Sequence, residues 1–271
     1  MLARRGSVPI SARMWTIPAA LPRTALVTGG ARRIGRAIAL ALAEAGFDVA
    51  IQFRASAADA SATVEAIGRT GRRGIALAAD LAREAEVETV LPAATEALGP
   101  IGVLVNNASV FERDEWHDAT RASWDAHLEP NLRAPFVLTQ AMARALPAEA
   151  EGVVVNLLDQ RVWNLTPHFV SYTVSKAALW TLTRTLALAL APRIRVNAIG
   201  PGPTVPSPRQ TEAQFARQVA SVPLRRGASP AEVARATLAI LALPSMTGQM
   251  IALDGGQHLN WSPARGEAPE E

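Results

Sequence analysis

The chain's only tyrosine and its only lysine, Tyr172 and Lys176, stand four positions apart. On a helix that spacing puts both side chains on one face. A phenol with an unperturbed pKa of about 10 holds its proton at neutral pH and releases it reluctantly. A nearby ammonium stabilises phenolate, so Lys176 is expected to lower the pKa of Tyr172. The pair suits a reduction. Hydride arriving at a carbonyl or imine carbon leaves negative charge that must take up a proton. Asp159 lies upstream of the pair. A carboxylic acid there can pass a proton to a ring nitrogen, directly or through the tyrosine.

These residues need a scaffold that brings distant segments together. Apolar runs of β type occur at residues 25–27, 49–53, 75–79, 103–105, 153–157, 194–198 and 249–253. Helical periodicity fills most gaps, including 33–45, 84–98, 131–145, 172–190 and 230–243. Strands this apolar are usually buried on both faces, as in a parallel sheet. The alternation predicts a single α/β domain, Rossmann-type and doubly wound, with a mostly parallel seven-stranded sheet. The expected domain spans residues 23–260, after an N-terminal extension over 1–22 and before a flexible tail over 261–271.

The first strand runs into Thr28-Gly29-Gly30-Ala31-Arg32-Arg33-Ile34-Gly35, and a helix follows. Glycine lets backbone approach a pyrophosphate, and the helix N-terminus offers free N–H groups. At the end of the second strand stand Arg54 and Ser56, where NAD enzymes usually carry an acid for the ribose 2′-OH. An arginine can hold a 2′-phosphate bidentately instead, and Ser56 and Arg32 can assist. The expected cofactor is therefore NADP(H).

This pattern resembles the T-G-x-x-x-G-x-G signature of the short-chain dehydrogenase/reductase family, with Arg33 in place of its middle glycine. The resemblance covers about residues 23–258. It implies that Asp80 and Leu81 meet the adenine and that Asn107 and Ala108 belong to the family's N-N-A-G motif. It implies that Pro201, Gly202 and Thr204 face the cofactor, and that Lys176 bonds the nicotinamide ribose. Asn131 resembles the family's asparagine that links the lysine to solvent through a bound water. Ser109 replaces a glycine, and Asp159 replaces the usual serine. Both departures, with Arg33, resemble the pteridine reductase branch. That branch implies that Phe111 stacks a flat substrate against the nicotinamide. Trp163 and Arg161 follow Asp159 and are candidates to line the pocket, and the stretch 204–222 is a candidate lid.

The expected function is hydride transfer from NADPH to a pterin- or dihydrofolate-like C=N bond. Two alternatives remain open. One is a carbonyl or 3-oxoacyl-thioester reductase of the same family. The other is a non-catalytic NADP(H)-binding sensor. With no cysteine and four histidines at no ligand spacing, no metal is expected. A net charge of +3 with scattered arginines argues against nucleic acid, and no apolar run reaches a membrane span. A small-molecule substrate and a cytoplasmic location are expected. The family resemblance implies a homotetramer with an interface on the helix carrying Tyr172.

Overall fold

A computed structural model describes residues 16–207 and 209–259. The elements in chain order begin with β1 (Thr24–Thr28), α1 (Arg33–Glu44), β2 (Asp48–Phe53), α2 (Ala57–Gly68), β3 (Gly74–Ala78) and α3 (Glu84–Leu98). Then come β4 (Val103–Asn106), α4 (Arg121–Leu128), α5 (Ala134–Ala145), β5 (Gly152–Leu157) and α6 (Val170–Ala189). The chain closes with β6 (Ile194–Pro201), α7 (Glu212–Ser221), α8 (Pro230–Leu241) and β7 (Met250–Leu253). The sheet has seven strands in the order β3-β2-β1-β4-β5-β6-β7. Among the described residues every pairing is parallel.

The central strands are apolar on both faces because helices cover both. Ala25, Val27, Val103, Val105, Val153 and Val155 pack with Ile38, Leu42 and Ile240 from α1 and α8. Leu26, Leu104 and Val154 point the other way, toward Leu91 of α3 and Leu138 and Met142 of α5. Alternate residues of one strand thus serve opposite layers.

The order in which strands are laid down reverses between β1 and β4. β1 hands on to β2 at one side, and β4 lies at its other side. Crevices at such switch points, beyond the carboxyl ends of strands, are where ligands bind in this architecture. The Gly-rich turn after β1 and the segments after β4, β5 and β6 all end there.

Two boundaries differ from the expectation. The helix expected from residue 131 opens as a π-helical turn over Glu129–Arg133, with Pro130 at its first turn, before α5 begins. The extension expected to run through residue 22 has its described end in the core. Ile17 and Leu21 are buried, because two apolar side chains find the cluster beneath α1. Residues 1–15 and the expected tail over 261–271 lie outside the described residues.

Candidate active site

The Gly-rich turn is shaped by the lack of side chains. A Cβ on Gly35 would sit 2.2 Å from the Gly29 carbonyl oxygen, so only glycine lets the start of α1 pass this close. Gly29 has φ +61°. Its N–H donates to Gln52 Oε1 at 3.0 Å, and Gln52 Nε2 donates to the Ala79 carbonyl at 2.7 Å. One buried amide therefore ties the turn to the ends of two neighbouring strands. Asn107 braces the turn from β4. Its Nδ2 donates to the Thr28 carbonyl at 2.8 Å, and Thr28 Oγ1 accepts the N–H groups of Asn107 and Ala108. α1 starts without a side-chain cap and without an acid in its first turn. Its leading N–H groups and positive dipole end suit a phosphate.

Arg33 takes the position of the signature's middle glycine and keeps a glycine-like backbone, with φ +51°. A non-glycine residue there costs about 1–2 kcal/mol. Its guanidinium reaches across the crevice and donates to the Val205 and Pro206 carbonyls at 3.2 and 2.8 Å. Arg54 is exposed and has no hydrogen bond or ion pair among the described residues. Arg32 is partly engaged, 3.6 Å from Asp59. Asp80 is half-buried, and its carboxylate accepts the Ala82 N–H at 3.0 Å. Leu81 is buried.

At the catalytic end, Tyr172 and Lys176 share a buried face in the first turns of α6. The Tyr172 hydroxyl donates to Asp159 Oδ2 at 3.0 Å. Asp159 Oδ1 accepts the Arg161 N–H at 2.9 Å, so both carboxylate oxygens act as acceptors. Lys176 Nζ donates to the Leu157 carbonyl at 2.8 Å. Burial lowers the Lys176 pKa to about 8, with the Asp159 charge opposing. The Tyr172 phenol is pushed well above its usual value, first by burial and then by the Asp159 charge, while Arg161 pulls it down. The expectation that Lys176 lowers the phenol therefore fails in this structure. The ammonium lies 5.9 Å from the ring centroid and donates to the Leu157 carbonyl, whereas a carboxylate oxygen of Asp159 sits 3.0 Å from the hydroxyl.

A cavity of about 300 Å³ joins the two ends. Arg33, Ile34, Pro201, Gly202 and Thr204 line it from the cofactor side, and Ser109, Phe111, Asp159 and Tyr172 from the other. Phe111 does not stand bare. It stacks on Phe169 at 4.8 Å, and meets the edge of Tyr172 at 4.6 Å. Trp163 does not line the cavity. It is 45% exposed and packs on the His258 ring at 5.1 Å, because the short 3-10 turn after Asp159 swings it outward. The Asn131 side chain is held by its neighbours. Its Oδ1 accepts the Val110 N–H at 2.8 Å and the Ser109 hydroxyl at 3.1 Å, and its Nδ2 donates to Ser175 Oγ at 3.0 Å. It braces the loop that presents Phe111.

Residues 29–258 match the family described as Enoyl-(Acyl carrier protein) reductase. The chain belongs to the short-chain dehydrogenase/reductase family. A 3-oxoacyl-[acyl-carrier-protein] reductase of Staphylococcus epidermidis is 32% identical over 88% of this chain and 99% of its own. FolM alternative dihydrofolate reductase 1 from Brucella suis, solved in complex with NADP, is 48% identical. It covers 91% of this chain and 99% of its own, with a TM-score of 0.87. The Brucella canis protein of the same description, also complexed with NADP, is 47% identical over 90% of this chain and 97% of its own, at TM-score 0.85.

Several residues that shape this short-chain reductase site carry no readable sequence signal. Asp114, Ser171 and His127 form a buried chain. Ser171 Oγ donates to Asp114 Oδ2 at 2.5 Å and lies 2.7 Å from His127 Nδ1, while His127 Nε2 accepts the Glu112 N–H at 3.0 Å. This chain fixes the loop after Phe111 to the start of α6. Arg209 ties the stretch before α7 to the same loop. It donates to the Phe111 carbonyl at 2.6 Å and pairs with Glu112. Gln52 leaves a faint trace, as a polar residue in an otherwise apolar strand.

Proposed function

We propose that this protein reduces a C=N bond of a pterin- or dihydrofolate-like substrate at the expense of NADPH. The observation that carries this reading is the Asp159 carboxylate 3.0 Å from the Tyr172 hydroxyl, where the family pattern has serine. Either reduction needs a proton at the heteroatom; a serine hydroxyl polarises a carbonyl oxygen, whereas a carboxyl beside the phenol is better built to relay a proton to a ring nitrogen.

The turn around Gly29 and Gly35 is a cradle that suits a dinucleotide pyrophosphate. Exposed Arg54, with Ser56 beside it, suits a 2′-phosphate. NADPH supplies the hydride when bound. Tyr172 gives its proton to the substrate nitrogen. Asp159 orients that hydroxyl, and a proton from solvent, relayed through its carboxylate, returns the phenolate to phenol. Lys176, with ammonium hydrogens beyond the one on Leu157, can hold the ribose. Phe111 and Ser109 form the opposite wall for a flat ring. The FolM structures, described as dihydrofolate reductases with NADP, support the same assignment.

The 3-oxoacyl-thioester reading is favoured by one observation, the similarity to the Staphylococcus epidermidis enzyme over nearly its whole length. Absorbance of NADPH separates the two. Loss with dihydrobiopterin or dihydrofolate, and little with an acetoacetyl thioester, is the expected outcome. Fast thioester turnover with no pterin turnover would overturn the proposal.

A further inference from the structure

Arg161 is a buried cation beside the proposed proton donor, and the family pattern gives it no role. Only 5% of its side chain is exposed. Its guanidinium lies 5.3 Å from the Phe111 ring centre, 4.9 Å from Phe169 and 5.8 Å from Tyr172. Its Nε is 3.9 Å from Asp159 Oδ1, the same oxygen that takes its own backbone N–H. One side chain thus touches the stacking wall, the phenol and the carboxylate. Cations over aromatic faces are held by the ring quadrupole, and more strongly where water is excluded.

We propose that Arg161 is the positioning residue of this site, fixing Asp159 as acceptor toward Tyr172 and supplying the cation that the phenol faces. That role falls to Lys176 on sequence spacing alone. The inference rests on Tyr172 being the proton donor, but its test needs no turnover.

Physical reasons favour arginine here over the lysine. The Lys176 ammonium donates to the Leu157 carbonyl and lies 5.9 Å from the Tyr172 ring centre. The guanidinium is planar, stays charged when buried, and can stack while it pairs. Of the two cations, Arg161 is the one that draws the phenol pKa down, against burial and Asp159. Other charged or titratable groups surround the pair. His127 meets the Tyr172 ring edge at 6.0 Å, Arg33 lines the cavity from the cofactor side, and Arg209 and Arg113 lie over Phe111 and Phe169. The variants below leave all four in place.

The single tyrosine makes the test direct. Growth on a polyfluorinated tyrosine labels Tyr172 alone and makes its phenol more acidic, so fluorine NMR reads its titration in the full chain. Arg161→Met is expected to raise the apparent pKa by about one unit, the usual effect of losing a close opposite charge. Arg161→Lys should restore most of the shift, and Lys176→Met should shift it less than Arg161→Met does. If Arg161→Met does not fold, Arg161→Gln, neutral but polar, takes its place. An unchanged titration in the neutral variant, or a larger shift in Lys176→Met, would overturn the proposal. Failure of the pterin assay with the fluorine result intact would count against the substrate reading alone.

Discussion

The two ends of the crevice are built on opposite principles. At the cofactor end the decisive feature is missing volume: Gly35 leaves space for the Gly29 carbonyl, and side-chain amides from Gln52 and Asn107 lock the backbone around it. At the catalytic end the decisive feature is side-chain chemistry brought in from separate segments. Asp159 follows β5, Tyr172 and Lys176 open α6, and Phe111 follows β4. At Gly35 the first end has no room for an added carbon. Under the proposed function, the second end sets its reaction by the exchange of one side chain, Asp159 for the family's serine. A fold can therefore keep its cofactor while its substrate class changes.

Substitutions sharpen this contrast. The largest effect belongs to the catalytic end. Tyr172→Phe should lower kcat by about 10²–10⁴, the worth of a positioned proton donor, while NADPH still binds. Parallel loss of NADPH binding in that variant would blur the division between the ends. Gly35→Ala should do the reverse. Its Cβ forces the turn open, with an overpacking cost of about 1–3 kcal/mol, so NADPH affinity and thermal midpoint fall together. Calorimetry and a melting curve check both.

Arg54→Ala tests the cofactor end more gently. A charge-assisted hydrogen bond of about 1.5–3 kcal/mol corresponds to a loss of tenfold or more for NADPH, with NADH affected little. Equal losses for both would contradict the placement of the 2′-phosphate. The smallest effect is a pH dependence. The Lys176 pKa is lowered to about 8 in the folded protein, so its charge is present below that pH and lost above it. NADPH affinity should decline as pH rises through that value, and Lys176→Met should flatten the decline. The stability effect runs the other way. Because the folded pKa lies below the unfolded one, burying this cation costs stability below the folded value. The cost is relieved as pH rises toward the unfolded value.

The same contrast explains what could be read from sequence. The sheet and its order of elements were legible because doubly covered strands are apolar at every position, as in Val153, Val154 and Val155. The glycine cradle was legible because a missing side chain leaves a letter. Tyr172, Lys176 and Asp159 were legible as chemistry, but not their electrostatics. The direction of the Lys176 ammonium depends on a carbonyl at the end of β5 that no spacing encodes. Trp163 illustrates the same limit, turning outward onto His258 because a short irregular turn sets its direction. The latches made by Arg33 and Arg209 join segments far apart in the chain, and nothing local announces them.

The central claim is that Asp159 makes this site a C=N reductase. Asp159→Ser restores the family's usual residue and tests it directly, in steady-state assays with NADPH and either dihydrobiopterin or an acetoacetyl thioester. The account predicts that pterin turnover falls by about 10² or more, the scale of a lost proton-transfer partner, while thioester turnover is retained or appears. Undiminished pterin turnover in the serine variant would contradict it.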